Sequence, residues 1–219
     1  GQLRLTCSVS FAYAQLGAAI ADFLARHPQL KIDLDASEGS LNLVERRIDL
    51  AIRISAEPDS MLIGRPLAQC DSVLVASPAY LAAHGTPQQP SDLLHHNCLS
   101  LSSDASQTRG WAFKVSSPDN AEGPEVSYLR PHGPLDCSDG QVLHSWCLAG
   151  MGIAWRSTWE VENDIQSGQL VEVLADFAAP PNGIYGVFPQ RKHLPLRLRL
   201  WIDFLKHHYS LPSTWQSAP

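Results

Sequence analysis

No run of about 18 apolar residues occurs in this sequence, so none of its helices is expected to cross a membrane. No basic-then-apolar leader opens it. Cysteine is scarce: Cys7, Cys70, Cys98, Cys137 and Cys147 form an odd set of five with no Cys-x-x-Cys spacing. That argues against a disulfide framework or a zinc site and predicts a reducing, cytoplasmic compartment. No Lys/Arg cluster resembles a phosphate-binding stripe, and the formal net charge is -6. Direct nucleic-acid binding by this segment is therefore not expected.

Catalytic signatures are missing too. There is no Gly-x-Ser-x-Gly elbow, no His-Glu-x-x-His and no P-loop. His95-His96 and His207-His208 are adjacent pairs whose side chains diverge, so neither makes a metal clamp. His144 and Cys147, three apart on one helix, read as a buried pair. Gly150 and Gly152 read as a helix stop and tight turn, since a dinucleotide loop would follow a strand. No catalytic residue, metal or cofactor is expected.

What is present is an ordinary core-forming composition: 44% hydrophobic and 17% charged residues over 219 positions, enough for one large domain or two small ones. Leu3, Leu5, Cys7 and Val9 alternate as a strand, and Ser10 offers an N-cap. Leu16, Ile20, Phe23 and Leu24 then form a helical stripe that stops before Pro28. A second strand (Ile32, Leu34, Ala36), a turn at Ser37 to Ser40, a short helix from Asn42 to Arg47 and an apolar strand from Ile48 to Ile54 follow. Strand, helix, strand, helix, strand is the signature of a doubly wound sheet.

A second set of elements comes next. Val73 to Ala76 is a strand, and Ser77-Pro78 opens a helix closed by Gly85. Ser91 caps one helical turn, and strands are expected at Cys98 to Leu101, Trp111 to Val115 and near Val126 to Leu129. Leu135 to Cys137 is a short strand whose following helix is capped by Ser138 or Asp139. Ile153 to Trp155 is a strand, Ser157 and Glu160 form a capping box, and Leu170 to Leu174 is a strand. Pro180-Pro181 marks a linker, Ile184 to Phe188 is a strand, and Pro195 opens a last helix with Leu196, Leu200, Phe204 and Leu205 inward.

Five segments in this order resemble one family. They are residues 44–54 (VERRIDLAIRI), residues 75–87 (VASPAYLAAHGTP), Ser91-Asp92-Leu93 with His96 and Cys98, residues 149–154 (AGMGIA), and residues 168–171 (GQLV). The chain is similar over nearly its whole length to the effector-binding domain of LysR-type transcriptional regulators. The likeness implies an α/β, periplasmic-binding-protein-like (type II) fold, with two α/β lobes joined by two crossover strands and a cleft between. Residues 1–75 with 180–210 would form lobe I, residues 76–179 lobe II, and residues 211–219 a tail. An N-terminal winged helix-turn-helix domain, expected from the family, would be absent from this chain. Trp155-Arg156 departs from the Leu-Pro-like pair of many members.

Ligands of open α/β sheets sit beyond the carboxyl ends of the strands. Those ends put Ser8, Val9, Ser10, Phe11, Ser37, Gly39, Ser40, Arg53, Ser102, Ser138, Asp139 and Trp155 forward as effector-binding residues. Helix starts supply backbone N–H groups and the serines supply hydroxyls, which suits a small carboxylate or similarly polar effector. Phe11 and Trp155 would be apolar wall, with a core role for Phe11 equally open. Arg53 would meet an anion or a structural carboxylate. Asp139 would be a pure cap or would hold a hydroxyl or amine. The resemblance further implies a homodimer or homotetramer through the helix from Ala12 to His27 and the strand from Lys31 to Asp35, facing residues around Gln141 to Leu148. DNA would be contacted only by the absent N-terminal domain, and no membrane is involved. A free solute-binding protein and a binding-protein-like enzyme are the alternatives.

Overall fold

The computed structural model describes residues 1–37, 42–55, 62–102, 110–115, 125–130, 132–189 and 194–211. It divides into two compact units, Gly1–Cys70 with Asn182–Pro219, and Asp71–Pro181.

The first unit is a five-stranded sheet in the order β2-β1-β3-β12-β4. Its strands are β1 (Gln2–Cys7), β2 (Lys31–Ala36), β3 (Leu50–Ser55), β4 (Ile63–Cys70) and β12 (Asn182–Phe188). β1 runs parallel to β2 and β3, whereas β12 is antiparallel to β3 and β4. The alternation read in β1 is real: Leu3, Leu5 and Cys7 are buried. It ends at Cys7, because Ser8 takes an extended conformation and its Oγ accepts the N–H of Phe11 at 3.3 Å. Val9, expected in the strand, is therefore the first residue of α1 (Val9–Phe11), and Ser8 rather than Ser10 is the cap.

The helix continues as a π-helical turn, Ala12–Leu16, and then α2 (Gly17–Arg26). Phe23 of α2 packs against Trp201 and Phe204 of the last helix, with ring centroids 4.8 and 5.2 Å away. The helix expected over residues 42–47 is instead a set of turns. Asn42 Oδ1 accepts the N–H groups of Val44 and Glu45, and Arg47 sits at a left-handed φ of 54°, which stops helical propagation.

β4 has no counterpart in the sequence reading. Arg65, Pro66 and Gln69 hide its pattern, and only Leu67 and Cys70 are buried. Pro66 is tolerated because β4 is an edge strand and the pairing slips beside it, between Ile184 and Tyr185. The last helix (Leu196–Ser210) is also turned from the expected face. Leu196 and Leu200 are exposed, while Leu198, Trp201, Ile202, Leu205 and Tyr209 are buried. The buried stripe carries two aromatic rings, and more apolar area leaves water that way.

The second unit has a sheet ordered β11-β5-β10-β6-β9 and a separate β7-β8 hairpin. Its strands are β5 (Ser72–Ala76), β6 (Cys98–Leu101), β7 (Trp111–Val115), β8 (Glu125–Leu129), β9 (Asp136–Cys137), β10 (Ile153–Ser157) and β11 (Val171–Val173). Its helices are α3 (Pro78–His84), α4 (Gly140–Leu148) and α5 (Thr158–Gln166), which makes the last helix of the first unit α6. Alternation along β5 feeds both faces: Leu74 and Ala76 join Tyr80, Cys98, Trp111 and Phe113, while Val73 and Val75 join Leu99, Leu143, Cys147 and Val161. The Ser157–Glu160 capping box forms as read. The short 3-10 helix Pro90–His95 is capped by Gln89 rather than Ser91, because Asp92 Oδ2 accepts the N–H groups of Gln88 and Gln89. β11 stops at Val173, since Leu174 turns left-handed into a 3-10 turn at Ala175–Phe177.

Candidate functional site

In the first unit the parallel strands β1, β2 and β3 end on one edge of the sheet. Ser37 N–H donates to Cys7 C=O at 3.0 Å, and Thr6 Oγ1 donates to Asp35 C=O at 2.8 Å, so the ends of β1 and β2 are locked side by side. This sets Ser37 beside the β1 end at Ser8, and Val9 and Ser10 follow Ser8 in α1. Ser10 is 4% exposed, and Ser10 Oγ and Ser37 Oγ are both buried without a hydrogen-bond partner among the described residues. Arg53 follows on β3, opposite Tyr185 of β12, and is half-buried. Phe11 is in the core: it is 1% exposed and stands edge-on to Tyr209 at 5.9 Å. Gly39 and Ser40 lie outside the described residues.

In the second unit Ser102 N–H donates to Cys137 C=O at 2.8 Å, which sets Ser102, Ser138 and Asp139 at the common end of β6 and β9. Asp139 caps α4: its Oδ1 accepts the N–H of Gln141 at 2.7 Å and of Val142 at 3.2 Å. That carboxylate already meets much of the polar demand of the helix start. The first unit, with neutral hydroxyls at the corresponding position, has more hydrogen-bonding capacity unspent.

Trp155 does not join this edge. It lies on the β10 face away from α4, in the cluster with Trp111, whose ring is 6.5 Å off. The next residue, Arg156, points to the α4 side. It is 3% exposed, donates to Gly140 C=O at 3.1 Å and pairs with Glu160. The sequence marked Arg156 only as a departure from its family, and nothing local signals that it bridges β10, α4 and α5. A second network also went unseen. Tyr80 Oη accepts the N–H of Asn97 at 2.9 Å and lies 3.1 Å from His96 Nδ1, tying α3 to the start of β6.

Burial pushes the Cys98 and Cys147 thiols up to about 12. Cys147 Sγ donates to Val75 C=O at 3.5 Å, so it is a core thiol rather than a nucleophile beside His144. Among the described residues no group of three or more His, Cys, Asp or Glu could hold a metal ion, and no helix is long and apolar enough to cross a membrane.

The LysR substrate binding domain model matches residues 1–210. The chain is 34% identical over 210 residues to the HTH-type transcriptional regulator DmlR of Escherichia coli (strain K12), covering 96% of this chain and 66% of that protein. It is 36% identical over 209 residues to the HTH-type transcriptional regulator CrgA of Neisseria meningitidis serogroup C (strain 8013), covering 94% and 66%. The chain thus spans just under two thirds of the length of these curated relatives. Its fold superposes on the regulatory domain of CrgA from Neisseria meningitidis with a TM-score of 0.78 and 33% identity, over 95% of this chain and 98% of that one. The parallel strand ends, the capped helix starts and this likeness along the chain agree, and the protein belongs to the LysR substrate-binding-domain family, with the mixed α/β, periplasmic-binding-protein-like type II fold of its regulatory domains.

Proposed function

We propose that this chain is the ligand-sensing regulatory domain of a LysR-type DNA-binding transcriptional regulator. It binds a small carboxylate or similarly polar effector without transforming it, in the cytoplasm. The observation that carries this reading is the pair of buried, unpartnered hydroxyls, Ser10 and Ser37, where β1 and β2 end. A buried hydroxyl without a partner costs about 1–3 kcal/mol, and a polar guest that bonds it recovers that cost. Ser8, Val9 and Arg53 complete this anchor, with Phe11 in the core behind the turn; Gly39 and Ser40 are candidates from the sequence only. In the second unit Ser102, Ser138 and Asp139 form a polar strand-end edge of their own, and Trp155 belongs to the supporting core of that unit.

Occupancy is relayed through subunit geometry. α2 leaves Ala18, Ala21 and Ala25 exposed, and β2 is an edge strand, so the helix from Ala12 to His27 and the strand from Lys31 to Asp35 suit a homodimer or homotetramer contact. DNA is then bound by a separate N-terminal domain, in keeping with the names of the curated relatives.

A thermal-shift panel of acetate, propionate, succinate and benzoate, each beside its amide, tests the site. A compound that binds only the folded chain stabilises it by ~2.7 kcal/mol at a hundred times its Kd. The wild type should respond to at least one acid, and Ser10→Ala with Ser37→Ala should lose the response without losing ligand-free stability. No response in the wild type, or an equal one in the double variant, sinks the reading.

A further inference from the structure

Residues 9–26 are one helical run that changes winding in the middle. Ala12 N–H donates to Ser8 C=O, a four-residue step, whereas Gly17 N–H donates to Ala12 C=O, a five-residue step. The turn Ala12–Leu16 therefore holds one residue more than an α-helix would over the same rise. Tyr13, 85% exposed, and Ala14 face solvent, while Gln15 and Leu16 are buried. A Cβ placed on Gly17 would stand 3.3 Å from the Ala12 carbonyl oxygen, closer than ordinary van der Waals contact. On one side of this turn lies the Ser8–Phe11 edge and on the other α2.

Resting on the effector edge and subunit face described above, we propose that this π turn is the coupling element of the sensor. Rewinding residues 12–16 from π to α moves one flank about 1.5 Å along the axis and about 100° around it relative to the other. The edge and the subunit face are thereby re-registered by a change in one turn. A ligand shifts such an equilibrium only through unequal affinity for the two forms. Ser10 supplies the inequality, because its hydroxyl is buried without a partner in the π winding. A guest that bonds it favours that winding, and the effector-free chain samples the α winding as well.

Two variants separate this from a passive insertion. Deleting Ala14 removes the extra residue and leaves both flanks facing as they do in the π form, in an unbroken α-helix. Gly17→Ala keeps the chain length and crowds the Ala12 carbonyl, which biases the turn toward the α winding. Nitrogen-15 relaxation dispersion on the wild-type chain should show microsecond-to-millisecond exchange at the amides of residues 10–17, and the deletion should abolish it. Analytical ultracentrifugation should show the subunit dissociation constant shifted by about fivefold or more, in opposite directions in the two variants. A part that only maintains the fold would move both variants the same way or neither. Silent wild-type amides, same-direction shifts, unchanged association, or a chain that is monomeric at every concentration each overturn the proposal. None of these readouts uses an effector, so failure of the carboxylate panel is a separate result.

Discussion

His144 Nε2 lies 2.8 Å from Asp164 Oδ2, a bond that ties α4 to α5. Burial holds the His144 imidazole below its ordinary range, although Asp164 works in the other direction. Burial also lowers His96 and His208. A histidine whose folded value lies below its unfolded value of about 6.5 binds fewer protons when folded. Its contribution is complete above that pH and is lost as pH falls through the folded value. The melting temperature should therefore drop on acidification from about pH 7.5 to about pH 5.5, before most carboxylates titrate. His144→Gln, which keeps a donor for Asp164, should show a shallower slope. A flat or rising melting temperature in circular dichroism over that window contradicts this.

Arg156 is a buried cation held by Glu160 and by Gly140 C=O. Arg156→Leu alone should destabilise by ~3 kcal/mol or more, because it strands the Glu160 carboxylate. The double variant Arg156→Leu/Glu160→Gln leaves no charge and keeps an acceptor for Ser157 N–H, which Glu160 Oε2 now takes at 3.1 Å. It should recover more than half of the loss in urea unfolding. Equal losses in both variants would mean that the guanidinium contributes by packing.

Four of the five thiols, Cys7, Cys70, Cys98 and Cys147, are buried, whereas Cys137 is partly accessible. A chromogenic disulfide reagent should consume one thiol quickly under native conditions, and Cys137→Ser should remove that phase. Rapid reaction of several thiols would show that the cores of the two units open readily.

Gly152 and Gly168 should differ in their response to alanine. A Cβ on Gly152 would run into the Asn97 carbonyl oxygen, which already accepts the N–H of Ile153. Gly168→Ala meets open space, and its cost comes from a φ of +77°. Gly152→Ala is therefore expected to cost ~2–3 kcal/mol and Gly168→Ala about 1 kcal/mol. Urea midpoints compare them directly, and a reversed order would refute the packing account.

Much of the candidate site was legible in the sequence, because strand ends followed by helix caps are local patterns. Ser8 and Ser37 on one edge, and Ser102, Ser138 and Asp139 on another, follow from where strands stop. Phe11 and Trp155 were less legible. An aromatic beside a strand end has the same sequence signature whether it faces a ligand or the core. Here Tyr209, 198 positions after Phe11 in the chain, and the face of β10 that Trp155 occupies fixed the outcome.

The sequence by itself determined β1, β2, α3, the Ser157–Glu160 box and the family likeness, since each rests on residues within a few positions of one another or on their order. Tertiary structure alone decided that Pro66 lies in a strand, that α6 buries Trp201 rather than Leu200, and that a π turn separates Phe11 from α2. Those outcomes depend on partners far along the chain. Edge position excuses a proline, a neighbouring sheet chooses the helix face, and the spacing between two anchored flanks sets how many residues one turn must hold.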